Sequence, residues 1–145
     1  MYILEYSKFK DKKDTLSGIA LVVDDKICLV LPKKFEKQNK YSIPKGHQEL
    51  NISPFHNAYN ELVEETGIDI GLTQPSESFK FTYKKNGVKK NLMVFVIKLT
   101  SEEYENLNIR DRNESEIAEV KFLTKEEALT KVEKYYKRLI RYIFK

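Results

Sequence analysis

From Gly46 to Phe79 the chain carries no lysine or arginine, although it has 26 of these residues elsewhere. Within this stretch one helix is bracketed at both ends. Ser53 suits the N-cap, Pro54 the first helical position, where a missing N–H costs nothing, and Gly67 the left-handed residue that closes a helix. Between them Phe55, Ala58, Tyr59 and Leu62 recur at helical spacing and form an apolar stripe.

Glu61, Glu64 and Glu65 share one side of that helix, because residues three and four apart are neighbours. In steps of about 100° per residue, the apolar stripe points away from Glu64 and lies beside Glu61 and Glu65. The helix can therefore bury one side and present carboxylates at a cleft. Glu61 and Glu65 repel as an i,i+4 pair near the C-terminus, where the helix dipole already disfavours negative charge. A solvated acidic helix would intersperse cations on that face, and this one has none. A bound divalent cation reverses the sign of the repulsion, and a hard, oxygen-only donor set suits magnesium or manganese better than zinc.

At 145 residues, with 41% hydrophobic and 33% charged positions, the chain has the composition and size of one globular domain spanning residues 1–145. The net charge is only +4, but the bases are grouped: Lys33, Lys34, Lys37 and Lys40; Lys84, Lys85, Lys89 and Lys90; and the run from Lys131 to Lys145. An acidic pocket rimmed by basic segments suits a polyphosphate bridged to metal. Cys28 is the lone cysteine, placed in an apolar strand-like segment, so no internal disulfide can form and a thiol mechanism is not indicated. No apolar run approaches the roughly eighteen residues of a membrane span, and no leader-like stretch opens the chain. These features place the expectation in the cytoplasm, with no membrane partner.

Gly18–Val23 and Ile27–Leu31 read as strands joined through Asp24-Asp25-Lys26. Phe79–Tyr83 and Asn91–Leu99 flank Lys85-Asn86-Gly87, whose Asn-Gly pair favours a tight hairpin turn. The later strand is apolar on both faces through Leu92, Val94, Val96 and Ile97, which makes it central. Ile117–Phe122 adds a strand, and Ser101–Glu114 reads as a loop or broken helix. Thr124 with Glu127 forms a capping box that opens a C-terminal helix. Its apolar positions are Ala128, Val132, Tyr135, Tyr136, Leu139, Ile140 and Ile143. The order of elements predicts an α+β fold with a mixed β-sheet. Bases interleaved with tyrosines on the last helix could contact RNA, but packing against the sheet accounts for the same pattern.

Read outwards from the carboxylates, Tyr41-Ser42-Ile43-Pro44-Lys45-Gly46-His47 followed by Asn60-Glu61-Leu62-Val63-Glu64-Glu65-Thr66-Gly67-Ile68 resembles a Nudix box. Gly46, Glu61, Leu62, Glu64, Glu65, Gly67 and Ile68 match the family pattern at its spacing. Ile52 stands where the pattern has a glutamate, and Asn60 where it has an arginine. The resemblance extends over nearly the full chain and implies an α/β/α sandwich. It further implies hydrolysis of a nucleoside diphosphate linked to another moiety, dependent on Mg2+ or Mn2+.

Carried over by position, the resemblance makes Glu61, Glu64, Glu65 and the Gly46 carbonyl the metal ligands. The general base stays open among Glu61, Glu116 and Glu114, with Glu64 also in the catalytic set. Glu49, three residues before Ile52, could reach the site from the loop, although nothing in the spacing requires it. Pro44-Lys45-Gly46-His47 resembles the loop of the diadenosine tetraphosphate hydrolases in that family, which favours a dinucleoside polyphosphate substrate. Lys45 would neutralise phosphate, His47 donate to an oxygen, and Tyr83 stack a base. Tyr41 would precede the loop as an aromatic or sit in the core, and His56 would lie at the surface. Two alternatives follow from the departures and the basic helix: a module that binds a nucleotide or phosphate without cleaving it, and a hydrolase of capped RNA ends.

Overall fold

In a computed structural model that describes residues 15–71 and 73–145, strand β1 (Thr15–Val23) is the reference for the whole sheet. Strand β2 (Lys26–Pro32) follows it through the two-residue turn Asp24-Asp25, with Asp24 at φ 54°. The leader question concerns the start of the chain, outside the described residues.

One edge of β1 is forked. Its first part, Leu16 to Gly18, pairs antiparallel with β3 (Lys45–His47), and its end, Val22 and Val23, pairs antiparallel with β2. After β3 the chain forms helix α1 (Pro54–Thr66) and then β4 (Ile68–Asp69). Strands β5 (Glu77–Lys85) and β6 (Val88–Leu99) then form a hairpin across Asn86-Gly87, whose φ values of 53° and 78° are those of the expected tight turn. Strand β6 runs parallel to β1 along its full length, from Thr15 opposite Asn91 to Val23 opposite Leu99. It lies between β5 and β1, as its two apolar faces require.

The chain continues through α2 (Ser101–Glu105), capped by the reciprocal pair Thr100 and Glu103, to β7 (Asn108–Ile109), which pairs with β4. Strand β8 (Ile117–Thr124) closes the far edge beside β2. Helices α3 (Lys125–Lys131) and α4 (Lys137–Ile143) complete the order.

The sheet is covered on both faces, giving the α/β/α sandwich. Ala58 and Leu62 of α1 pack with Ile19, Leu21, Cys28, Phe95 and Ile97. On the opposite face Ala128, Leu139, Ile140 and Ile143 pack with Ala20, Leu29 and Val94. Burial pushes the Cys28 thiol up to about 12, which keeps it protonated and inert.

Helix α1 ends as its sequence demands. The Ser53 side chain accepts from the His56 N–H at 3.3 Å, and Gly67, at φ 78°, donates its N–H to the Val63 carbonyl at 2.8 Å. A Cβ on Gly67 would collide with the carbonyl oxygen of Arg110, whose own N–H donates to the Gly67 carbonyl at 2.6 Å. Glycine is required there twice over, by backbone angle and by close approach.

The C-terminal segment departs from the continuous helix expected. The Thr124–Glu127 capping box is present, but Val132 is extended at φ −97°, ψ 160°, and Lys134–Tyr136 forms a short 3-10 turn before α4. Val132 bridges Tyr41, and the Tyr41 N–H donates to the Lys131 carbonyl at 2.8 Å. Pairing with a distant segment thus overrides a helical pattern that contains no local breaker. Strand β1 also begins three residues earlier than Gly18, and the short strands β3, β4 and β7 were not anticipated. Among the described residues no helix is long and apolar enough to cross a membrane.

Candidate active site

The Ala58 and Leu62 contacts orient α1 so that Glu61 and Glu65 are half-buried beside β3, while Glu64 is exposed. The Glu61 carboxyl group lies against the α-carbon of Gly46, so closely that any Cβ at that position would overlap it. Glu65 Oε1 accepts from the main-chain N–H of Lys45 at 3.2 Å. The helix and the short strand therefore meet at two carboxylates.

Burial, then the charges of Glu64, Glu49 and Glu116, push the Glu61 carboxyl up to about 7, against the opposing pull of Lys45. Burial and Glu61 push Glu65 up to about 8, again against Lys45 and its N–H. Two desolvated carboxyls whose charge Lys45 only partly offsets are a receptive environment for a cation.

The loop leading to β8 approaches the same place. The Asn113 N–H donates to the Glu64 carbonyl at 2.7 Å, and the Lys33 N–H to the Glu116 carbonyl at 2.8 Å. Of the carboxylates on this loop, Glu116 acts on both Glu61 and Glu65; Glu114 is exposed on the preceding turn. The structure brings Glu61, Glu65, Gly46 and Lys45 into contact, with Glu49 and Glu116 near enough to influence them. Among the described residues no three acidic, histidine or cysteine side chains are gathered as a ready-made metal cage. Like charges on one helix face separate when nothing holds them together.

The donor chemistry nevertheless fits a hard divalent cation. Glu61, Glu64, Glu65 and the Gly46 carbonyl offer oxygen alone, and the two innermost carboxyls are desolvated.

Asn57, which has no solvent exposure, holds this arrangement together. Its Nδ2 donates to Ser17 Oγ at 2.7 Å and to the His47 carbonyl at 3.1 Å, and its Oδ1 accepts from the Glu49 N–H at 3.2 Å. The loop is braced again by Gln48, whose Nε2 donates to the Ile52 carbonyl at 2.5 Å and whose N–H donates to the Thr15 carbonyl at 3.0 Å. Sequence reasoning missed Asn57. Its signal was position: it stands four residues before Glu61, on the ridge that carries the carboxylates.

Tyr83 must be corrected. It is only 7% exposed, stacks on Tyr135 at 4.9 Å and on Phe81 at 5.7 Å, and accepts a 3.1 Å hydrogen bond from the Tyr136 hydroxyl. Both its ring and its hydroxyl are committed to the core beneath α4, so it offers no free face to a base. Tyr41 is also buried, its hydroxyl donating to Glu119. His47 and His56 are exposed, and Ile52 and Asn60 are half-buried.

The family model for the NUDIX domain matches residues 14–143, and the chain belongs to that family. Among solved structures, a C. elegans Ap4A hydrolase in a binary complex is 17% identical, covering 88% of this chain and 92% of its own, with a TM-score of 0.69. The E. coli dihydroneopterin triphosphate pyrophosphohydrolase is 14% identical over 93% of this chain and 97% of its own, with a TM-score of 0.65. A UDP-X diphosphatase is 21% identical over 98% of this chain and 68% of its own, with a TM-score of 0.62. No curated protein matches the sequence. Likeness at this identity establishes a shared fold.

Proposed function

We propose that the protein is a cytoplasmic Mg2+- or Mn2+-dependent pyrophosphohydrolase that cleaves a nucleoside diphosphate linked to another moiety, with a dinucleoside polyphosphate favoured. One observation carries this reading: Glu61 and Glu65, desolvated and raised towards neutral pH, meet Gly46 and Lys45 at the junction of α1 and β3. The likeness to an Ap4A hydrolase supports the choice of substrate.

In this reading Glu61, Glu64, Glu65 and the Gly46 carbonyl hold the cation. Bound there, Mg2+ or Mn2+ would neutralise phosphate oxygens and make a water molecule more acidic. Lys45 faces the phosphate chain and offsets its charge, and His47 donates to an oxygen. Water attacks one phosphorus, the new P–O bond forms as the anhydride P–O bond breaks, and the bridging oxygen departs with the electron pair. Glu116 accepts the proton from water, with Glu61 as the alternative acceptor. Asn57 and Gln48 keep the loop that carries Gly46 in place.

The test is incubation of the purified protein with Mg2+ or Mn2+ and dinucleoside polyphosphates, diphosphoinositol phosphates, nucleotide sugars and capped RNA. Cleavage of a phosphoric anhydride, abolished by Glu64→Gln or Glu65→Gln, is expected. Ile52 and Asn60 favour a second reading, a module that binds nucleotide or phosphate without hydrolysis. Cleavage of nothing in the panel, together with retained nucleotide binding, would establish it in place of the first.

A further inference from the structure

Residues 110–116 contain no apolar side chain, and all but Arg112 are exposed. Hydrophobic packing therefore cannot place this stretch. Its position matters, because Glu116 at its end is close enough for its charge to act on both Glu61 and Glu65.

What holds the stretch is polar and gathers at the C-terminal end of α1, where carbonyls run out of partners within the helix. The Gly67 carbonyl accepts from the Arg110 N–H at 2.6 Å, and the Glu64 carbonyl from the Asn113 N–H at 2.7 Å. At the far end the Glu116 carbonyl accepts from the Lys33 N–H at 2.8 Å. All three are main-chain bonds, for which water is a ready substitute on an exposed loop. One side-chain bond reaches a distant segment: Arg110 Nη2 lies 2.5 Å from Asp69 Oδ2. Among the described residues the other side-chain bonds of the stretch stay local, from Arg112 to the Ile117 carbonyl and between Ser115 and Asn113.

Asp69 is set to receive that guanidinium. Its side chain is only 11% exposed, and its Oδ1 accepts the Tyr59 hydroxyl at 2.5 Å and the Gly71 N–H at 2.9 Å, which leaves Oδ2 for Arg110. Tyr59 belongs to α1, and Asp69 to β4, which pairs with β7 immediately before Arg110. One carboxylate thus ties together the helix that carries Glu61 and Glu65, the strand after it, and the loop. The Tyr59 hydroxyl, then the Gly71 N–H, with Arg110 after them, hold the Asp69 carboxyl below its ordinary range, so it stays charged.

We propose that Asp69 and Arg110 are positioning residues: their ion pair, oriented by Tyr59, latches residues 110–116 onto the end of α1 and so stations Glu116 beside the carboxylates. The effect on rate rests on the reading of Glu116 as proton acceptor; the effect on the loop does not.

Two readouts test the latch. In metal-free protein, amide hydrogen exchange followed by NMR should quicken about five- to tenfold at Asn113 in both Asp69→Asn and Arg110→Gln, the scale of one charge-assisted hydrogen bond. Exchange at Val30, whose N–H donates to Ser42 elsewhere in the fold, should not change. With Mn2+ and a nucleotide that the wild type hydrolyses, both variants should lose about five- to tenfold in kcat at an unchanged KM, and Arg110→Lys, which keeps the charge, should recover part of the loss. In a Glu116→Gln background Asp69→Asn should cost nothing further. The Arg110 side chain is 60% exposed, so Arg110→Gln keeps the fold and carries the test alone should Asp69→Asn unfold. Wild-type exchange at Asn113 or a wild-type kcat in Arg110→Gln, or a full loss when Asp69→Asn is added to Glu116→Gln, overturns the latch. Faster exchange in a protein that hydrolyses no nucleotide would refute only the enzyme.

Discussion

Asn57 Nδ2 donates to Ser17 Oγ across 2.7 Å, and neither residue has any solvent exposure. This bond joins α1 to β1 directly below the carboxylates, and the other contacts of Asn57 secure the loop from His47 to Glu49.

Asn57→Ala therefore leaves the Glu49 N–H, the His47 carbonyl and the Ser17 hydroxyl short of a partner at once. A loss of about 2–4 kcal/mol is expected in urea unfolding. Hydrolysis should fall by more than the remaining folded fraction explains, because Gly46 is no longer held against Glu61. An unchanged urea midpoint would show that the network carries no stability.

The raised carboxyls make a signed prediction about pH. Glu61 and Glu65 move from an ordinary value of 4.5 to about 7 and about 8 in the folded chain. Between these limits the folded state binds more protons than the unfolded state. The stabilisation is fully present below 4.5 and is lost as pH rises through 7 and 8. With a chelator present, the unfolding free energy from urea titration should fall between about pH 5 and about pH 9, by about 1–3 kcal/mol for the pair after allowance for solvent screening. Glu65→Gln should flatten the trend, and added Mn2+ should restore wild-type stability at the alkaline end. A midpoint that rises with pH would contradict the described environment.

Tyr83→Phe separates a core role from a substrate role. It leaves the ring in place but removes the acceptor of the Tyr136 hydroxyl, so stability should fall by about 1 kcal/mol. KM for a nucleotide substrate should remain at the wild-type value. A raised KM at unchanged stability would return Tyr83 to the substrate.

Two departures from the family pattern invite a gain-of-function test. Ile52→Glu with Asn60→Arg supplies the glutamate and the arginine that the family pattern has at those two positions. Support of this kind is commonly worth about 10–100-fold in metal affinity or activity. Titration with Mn2+ and initial rates with a dinucleoside polyphosphate provide the readouts. A folded double variant that is weaker in both would mean that positions 52 and 60 have been assigned the wrong roles.

What the sequence disclosed follows from how local each signal is. Ser53-Pro54 and Gly67 delimit α1, and Asn86-Gly87 the β5–β6 hairpin, because backbone angles at those positions are set by the residues themselves. The break at Val132 had no such mark, since its cause is Tyr41, far away in the chain. Strand β3 has three residues with glycine at its centre, too short for alternation to register. The box located Glu61 and Glu65, but the burial that raises them depends on how α1 seats on β1. For Tyr83 a strand position was legible, but the partners that fill both its faces come from β5 itself and from the segment before α4.

The forked edge of β1 leads into two differently constrained segments. Along one branch, β3 is fastened to α1, and this fixes the carboxylates relative to Gly46. Along the other, β2 leads into the exposed turn that bears Lys34 and Phe35, before Tyr41 and Ser42 rejoin the framework through Val132 and Val30. Residues 36–39 between those anchors are exposed. Insertions or exchanges there can reshape the turn while the contacts of Glu61 and Glu65 with β3, on the other branch, stay in place.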